Sequence, residues 1–257
     1  MLTRSKTAKQ AATQQQTSSS PSICWDREAT PQYVYRFCVA SDQLPADLTV
    51  YEDQVLGVGS FGTVLKGYYQ GEQVAVKFVA LDTNIPTVDC VSSINEDDCL
   101  QYSTKEFNQE VKQSIFTSKL GISPNILSYR IVDLSAYKTP SKLAKPLIAP
   151  KKIGVIVSEM LGTSLSKYLE ENRHLLDELK LTIFREYISI SKILFDAGYH
   201  HMDNHFGNIL IDPQTMQLKF IDIDLKSITA MSAIKSWDDM INKLHRDFIM
   251  QYKMYER

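Results

Sequence analysis

At 257 residues the chain can bury a substantial core, and its length allows one large domain or two small ones. With 44% hydrophobic, 23% charged and 10% aromatic residues its composition is that of an ordinary soluble globular protein, not of a disordered or fibrous chain. A formal net charge of −2 argues against nucleic-acid binding through bulk positive charge, and no apolar run approaches the roughly 18 residues of a membrane span.

Residues 1–30, rich in Gln, Thr, Ser and Ala, lack the apolar content to offset their ordering entropy and are expected to form a disordered tail. The basic residues Arg4, Lys6 and Lys9 have no apolar segment behind them, so no secretory signal is read there. Tyr33 to Leu48 is expected to be an ordered lead-in. From Tyr51 the pattern turns strand-like: Val55-Leu56, then Thr63-Val64-Leu65, then the alternating, β-branched run Gln73 to Val79. Between the first two lies Gly57-Val58-Gly59-Ser60-Phe61-Gly62-Thr63-Val64. A dinucleotide fingerprint needs a helix directly after such glycines, whereas here a second strand follows.

Residues 82–104 show no sustained period and read as a surface insertion. Lys105 to Phe116 carries apolar residues at 107, 111, 115 and 116, the spacing of a helix face, ending near Gly121. Leu127 to Val132 reads as a strand, the Lys- and Pro-rich stretch from Ser135 to Lys152 as a loop, and Ile153 to Val157 as a buried strand. Thr163 to Asn172 starts a helix with Thr163 or Ser164 as cap. A longer amphipathic helix follows over Glu178 to Asp196, with Leu179, Ile183, Tyr187, Ile190 and Leu194 on one face and Gly198 as its stop. It leads into His201-Met202-Asp203-Asn204-His205-Phe206-Gly207-Asn208, the apolar run Ile209 to Ile211, and a second apolar strand ending at Asp222. Trp237 to Tyr255 closes the pattern as a helix. Cys24, Cys38, Cys90 and Cys99 have no CxxC or zinc spacing and read as reduced thiols, which makes an intracellular, cytoplasmic protein the expectation.

An aspartate and an asparagine five residues apart suit phosphoryl transfer, since Asp203 can accept a hydroxyl proton and Asn208 can hold a magnesium ion. Asp222, at the end of the next strand, can reach the same metal. The strand–turn–strand with GxGxFGxV resembles the glycine-rich loop of protein kinases, and Val74-Ala75-Val76-Lys77 resembles their lysine strand. Ser123-Pro124-Asn125-Ile126 resembles the turn after the kinase helix that bears the lysine's glutamate, and Ser158 to Gly162 resembles the hinge. The resemblance to the protein kinase-like superfamily runs over residues 51 to 224, with its first half similar to Ser/Thr protein kinases.

That resemblance implies an α+β, bilobal kinase-like fold. After the tail of 1–30 come a β-rich N-lobe with its lead-in and insertions over 31–160 and a reduced, mainly helical C-lobe over 161–257. It implies ATP and Mg²⁺ as cofactors and a protein substrate. Lys77 would contact the phosphates and pair with Glu110, with Glu106 as rival. Asp203 would deprotonate the acceptor, and Asn208 and Asp222 would hold the metal, with Asp224 as a second carboxylate near it. His205 would touch the γ-phosphate or substrate, or be structural. The backbone of Gly57, Gly59, Ser60, Phe61 and Gly62 would close over the phosphates, the backbone of Glu159 and Leu161 would bond the adenine edge with Ser158 as gatekeeper, and Leu56, Val64, Ala75 and Leu210 would sandwich the ring.

Departures from the family pattern shape three expectations. Met202 replaces the arginine that commonly receives an activation-loop phosphate, so such phosphorylation is not expected to switch this chain. Ile223 and Asp224 replace the Phe and Gly that follow the metal-binding aspartate. Only 35 residues follow Asp222, too few for a full C-lobe, which leaves room for an activating partner or ligand. Asp238 or Asp239 would brace the catalytic loop or serve as a helix cap. HxDxHxxN also resembles the aminoglycoside and choline kinases, and divergent kinases of large DNA viruses and intracellular bacteria look similar, which would place the protein inside a host cell. A small-molecule kinase and a nucleotide-binding pseudokinase scaffold are the alternatives.

Overall fold

Strands dominate the first half of the chain because its β-branched residues alternate with smaller or polar ones. The computed structural model describes residues 22–30, 33–59, 62–82, 84–85, 100–134, 147–148, 150 and 152–256. Strands β3 (Leu48–Val58), β4 (Gly62–Tyr69), β5 (Glu72–Leu81), β8 (Ile126–Asp133) and β10 (Lys152–Glu159) form one antiparallel sheet in the order β3-β4-β5-β10-β8. Successive side chains of a strand point to opposite faces, and β5 shows the consequence. Val74, Val76, Phe78 and Ala80 are buried on one face with Leu65, Val155 and Val157. Val79 lies on the other face, packed with Phe107, Val111 and Ile156.

Helix α1 (Thr104–Lys119) supplies Phe107 and Val111 to that second face. Its start is fixed by a capping box, in which Ser103 Oγ accepts from the Glu106 amide at 3.2 Å and Glu106 Oε2 accepts from the Ser103 amide at 2.7 Å. The buried stripe continues through Ser114 and Thr117 rather than Ile115 and Phe116. Thr117 Oγ1 and Ser123 Oγ are 2.8 Å apart, so the polar pair is satisfied inside the fold. Burial of Phe107 and Val111 contributes roughly 1.5–3 kcal/mol each, more than the ~0–1 kcal/mol of an exposed ion pair such as Lys167–Glu171.

The second half is built on helices. Short β11 (Thr163–Ser164) runs into α2 (Leu165–Glu171), capped by Ser164, whose hydroxyl accepts from the Lys167 amide at 3.3 Å. Helix α3 (Leu176–Asp196) and helix α4 (Trp237–Tyr252) present buried stripes, Ile183-Tyr187-Ile190-Leu194 and Met240-Leu244-Phe248-Tyr252, with the 3–4 spacing of a helix face. They enclose a core with Ile209 and Ile211 of β13 (Ile209–Ile211) and Leu218 and Phe220 of β14 (Leu218–Phe220). Between α3 and β13 comes β12 (Tyr199–His201), which pairs with β15 (Leu225–Ser227). The sheet half is strapped to this core where the Phe220 amide donates to the Ile122 carbonyl at 2.8 Å.

Three differences from the sequence expectations concern the periphery. Ser22–Thr30, assigned to the tail, forms strand β1, antiparallel to β2 (Tyr33–Ala40). Averaging over thirty residues hides the Ile23 and Trp25 alternation within this segment. Leu147–Ile148, assigned to a loop, forms β9 parallel to β2. The insertion is closed at its base by β6 (Asn84–Ile85) and β7 (Leu100–Gln101). Residues 1–21, the tip of the insertion with Cys90 and Cys99, and most of the lysine-rich loop lie outside the described residues. No helix among the described residues is long and apolar enough to cross a membrane.

Two stability predictions follow from this packing. A Cβ on Gly154 would lie 2.4 Å from the ring of fully buried Phe107, so Gly154→Ala should cost about 1–3 kcal/mol in chemical denaturation. His200 on β12 is 5% exposed, and burial, then Lys243 and His201, push it from 6.5 down to about 4, against the pull of Asp247. The folded protein therefore binds fewer protons than the unfolded chain. Stability is fully present above pH 6.5 and falls by about 3 kcal/mol as the pH drops toward 4. Denaturation across that window should show the loss, and His200→Gln should reduce it, leaving the part that comes from His201.

Candidate functional site

Strand alternation sends the Lys77 side chain from β5 to the face covered by α1, where it meets two carboxylates. Lys77 Nζ donates to Glu110 Oε1 at 2.8 Å and to Asp222 Oδ1 at 2.5 Å. Glu106 is not available to it, being held in the capping box one helical turn earlier. Burial lowers the Lys77 ammonium's affinity for its proton, but Asp222 and then Glu110 outweigh burial and hold it well above the lysine range. Asp222 is correspondingly held below the carboxylate range, by Lys77 first. Tyr102 closes the far end of this chain, its hydroxyl donating to Glu110 Oε2 at 2.5 Å.

Asp222 has φ +51°, a left-handed conformation unfavourable for a residue with a Cβ, and the surrounding hydrogen bonds hold it there. The Ile221 amide donates to the Asn208 carbonyl at 2.9 Å and the Met202 amide donates to the Asp224 carbonyl at 2.8 Å. His201, 1% exposed, lies between the two segments. Its Nε2 donates to the Ile221 carbonyl at 3.2 Å, which leaves Nδ1 to accept from the amides of Asp203 and Asp224, each at 3.4 Å. Burial pushes the imidazole down, against the pull of the Ile221 carbonyl and of the Asp224 carbonyl 3.3 Å from Nδ1, so the neutral ring suits this role.

The loop carrying Asp203 is braced from three sides. Asn208 Nδ2 donates to the Asp203 carbonyl at 3.0 Å and to its Oδ2 at 2.9 Å. Asn204 Nδ2 donates to the buried Tyr187 hydroxyl at 2.7 Å, and the Phe206 amide donates to Gln251 Oε1 on α4 at 2.7 Å. Gln251, not Asp238 or Asp239, is thus the α4 side chain that holds the loop. Asp239 instead accepts from the Lys235 and Ser236 amides at the helix start. No local signal distinguishes Gln251, because its contact spans 45 residues. The Asp203 carboxylate remains exposed, and His205 Nε2 lies 3.7 Å from its Oδ1. The other His205 nitrogen accepts from the Gly207 amide at 3.0 Å.

Asn208 and Asp222 suit a magnesium ion chemically. Asn208 turns its amide nitrogen to Asp203 and so keeps its amide oxygen for a cation, and Asp222 meets Lys77 through only one oxygen. These are the hard oxygen donors magnesium prefers, with phosphates and water completing its shell. No group of three or more His, Cys, Asp or Glu side chains poised for a metal occurs among the described residues.

The glycine turn is closed by the Gly59 amide donating to the Gly62 carbonyl at 3.0 Å. A Cβ at Gly62 would sit 2.0 Å from the Phe78 carbonyl oxygen, so packing demands glycine there. Among the described residues a Cβ at Gly57 or Gly59 would meet nothing within 4 Å, and neither has positive φ. Ser60 and Phe61 lie outside the described residues. Val64 is the cross-strand partner of Lys77, and Ala75 that of Ser158. Leu56 is 48% exposed, and Val64, Ala75 and Leu210 are half-buried. Glu159 donates its amide to the Asn125 carbonyl at 2.9 Å.

No family model matches the sequence. Among solved structures, the crystal structure of Rad53 1-466 in complex with AMP-PNP aligns with a TM-score of 0.44 and 17% identity, over 80% of this chain and 45% of that one. The chain thus spans less than half the length of that structure.

Proposed function

We propose that the chain is an ATP-dependent phosphotransferase that carries the γ-phosphoryl group of Mg-ATP to a serine or threonine hydroxyl of a protein, using a two-lobed kinase-like cleft. The observation that carries this is the convergence of Lys77 on Glu110 and Asp222, with Asp203 joined to the same segment through His201 and Asn208 joined to it through its own carbonyl, which accepts from the Ile221 amide. Lys77 binds the α and β phosphates once Asp222 turns to the metal, and Glu110 keeps its ammonium in place. The glycines support this further. Neither packing nor backbone conformation calls for glycine at 57 or 59, whereas a polyphosphate lying against those amides does.

Phosphoryl transfer asks the protein for positioning and charge neutralisation more than for covalent chemistry. The acceptor oxygen attacks the γ-phosphorus, the bond to the β–γ bridging oxygen breaks, and ADP leaves. Asp203, exposed and held through its backbone and Oδ2 by Asn208, takes the hydroxyl proton. His205 is placed to orient the outer oxygen of Asp203. Magnesium, when bound at Asn208 and Asp222, supplies neutralisation of the phosphate charge. Leu56, Val64, Ala75 and Leu210 enclose the adenine, with the backbone of Glu159 and Leu161 at its edge.

Incubation with radiolabelled ATP, Mg²⁺ and generic protein acceptors should give labelled protein. Asp203→Ala should lower the rate by about 10²–10⁴-fold, and Lys77→Ala and Asp222→Ala should each lower it by orders of magnitude while circular dichroism remains unchanged. Transfer only to small-molecule hydroxyls would shift the assignment to an aminoglycoside- or choline-type kinase. Nucleotide binding without any transfer would leave a pseudokinase scaffold.

A further inference from the structure

We propose that Tyr102 is a positioning residue for the Lys77 ammonium, acting through the carboxylate of Glu110. Its phenol donates to Glu110 Oε2 at 2.5 Å while Lys77 holds Oε1 of the same carboxylate at 2.8 Å. With both oxygens engaged from opposite sides, the carboxylate cannot rotate without breaking one of the bonds. Hydrogen bonds to charged groups are the stronger class, so the phenol is a substantial brake on Glu110.

The backbone around Tyr102 is built to hold it there. Its carbonyl accepts from the Asp82 amide at 2.9 Å. Asp82, at φ +50°, accepts from the Thr104 amide at 2.9 Å and the Thr104 hydroxyl at 2.7 Å, and also from Lys152 Nζ at 3.3 Å. The end of β5 is thereby stapled to the first turn of α1, with Tyr102 between them. The ring packs on the cluster of Val79, Phe107 and Val111, so its direction is set by burial and its hydroxyl is carried to Glu110. Sequence alone carries no mark of this role, since the residue stands outside the helix, eight positions before the glutamate it orders.

The inference rests on the phosphotransferase reading for its functional consequence, but the contact itself can be tested without activity. Tyr102→Phe keeps the ring and removes the hydroxyl. In the nucleotide-free protein the rate at which an amine-reactive acylating reagent modifies Lys77, read by peptide mass spectrometry, should rise several-fold in Tyr102→Phe. In a Glu110→Gln background the same change should have no further effect, because the phenol acts only through that carboxylate. Nucleotide turnover in Tyr102→Phe should fall about tenfold in kcat/KM for ATP, with the circular dichroism spectrum unchanged. Equal Lys77 labelling in wild type and Tyr102→Phe, or an undiminished effect of Tyr102→Phe in the Glu110→Gln background, would overturn the proposal. Altered labelling in a protein that shows no phosphoryl transfer would uphold the contact and refute the enzymatic reading.

Discussion

A half-buried ammonium held between two carboxylates from distant parts of the chain is the contact on which the arrangement depends. Lys77 reaches Glu110, 33 residues on, and Asp222, 145 residues on. Taking a lone ammonium out of water costs several kcal/mol, so the lysine is stable there only with counter-charges, and each carboxylate is likewise stabilised by it. The sheet, helix α1 and the segment after β14 therefore constrain one another electrostatically as well as by packing. Because both acids accept from the same nitrogen, Asp222 can turn toward a cation while Glu110 still neutralises the lysine.

The second half of the site uses neutral hydrogen bonds where the first uses charge. His201 is buried, and burial favours its uncharged form, which can donate from one nitrogen while accepting at the other. That two-sided capacity lets one ring order both the Asp203 loop and the residues around Asp222. The left-handed backbone at Asp222 is one cost of the geometry, and the amide contacts of Ile221, Met202 and Asp224 offset it. Behind the loop, Phe206 packs on Phe248 and Tyr255, and Gln251 satisfies its amide, so α4 fixes the loop's position from the core side.

The glycines separate two causes that look alike in a sequence. Gly62 and Gly154 are required by neighbours that leave no room for a Cβ, and Gly162, at φ +26°, would drive one into the Ile211 carbonyl. Gly57 and Gly59 face open space with ordinary backbone angles. Smallness at those two positions serves something other than the internal packing of the described residues.

Local pattern alone determined where most elements lie. The alternation of Gln73 to Val79 is a strand because side chains on a pleat take turns between faces, and the 3–4 spacing in α3 and α4 is a helix because only that period aligns a stripe. The residue types at 77, 203, 208 and 222 suit contact with cations, protons and phosphate-like anions. Tertiary structure decided which of two carboxylates on α1 faces the lysine, since Glu106 and Glu110 lie one turn apart and only the capping geometry and Tyr102 tell them apart. It also decided that Gln251 holds the loop carrying Asp203, and that Ser22–Thr30 and Leu147–Ile148 join one sheet with Tyr33–Ala40. The contacts of Lys77 with Glu110 and Asp222, of Phe206 with Gln251 and of Leu147–Ile148 with Tyr33–Ala40 link residues separated by tens of positions or more, and periodicity or composition within a window carries no information about partners that only folding brings together.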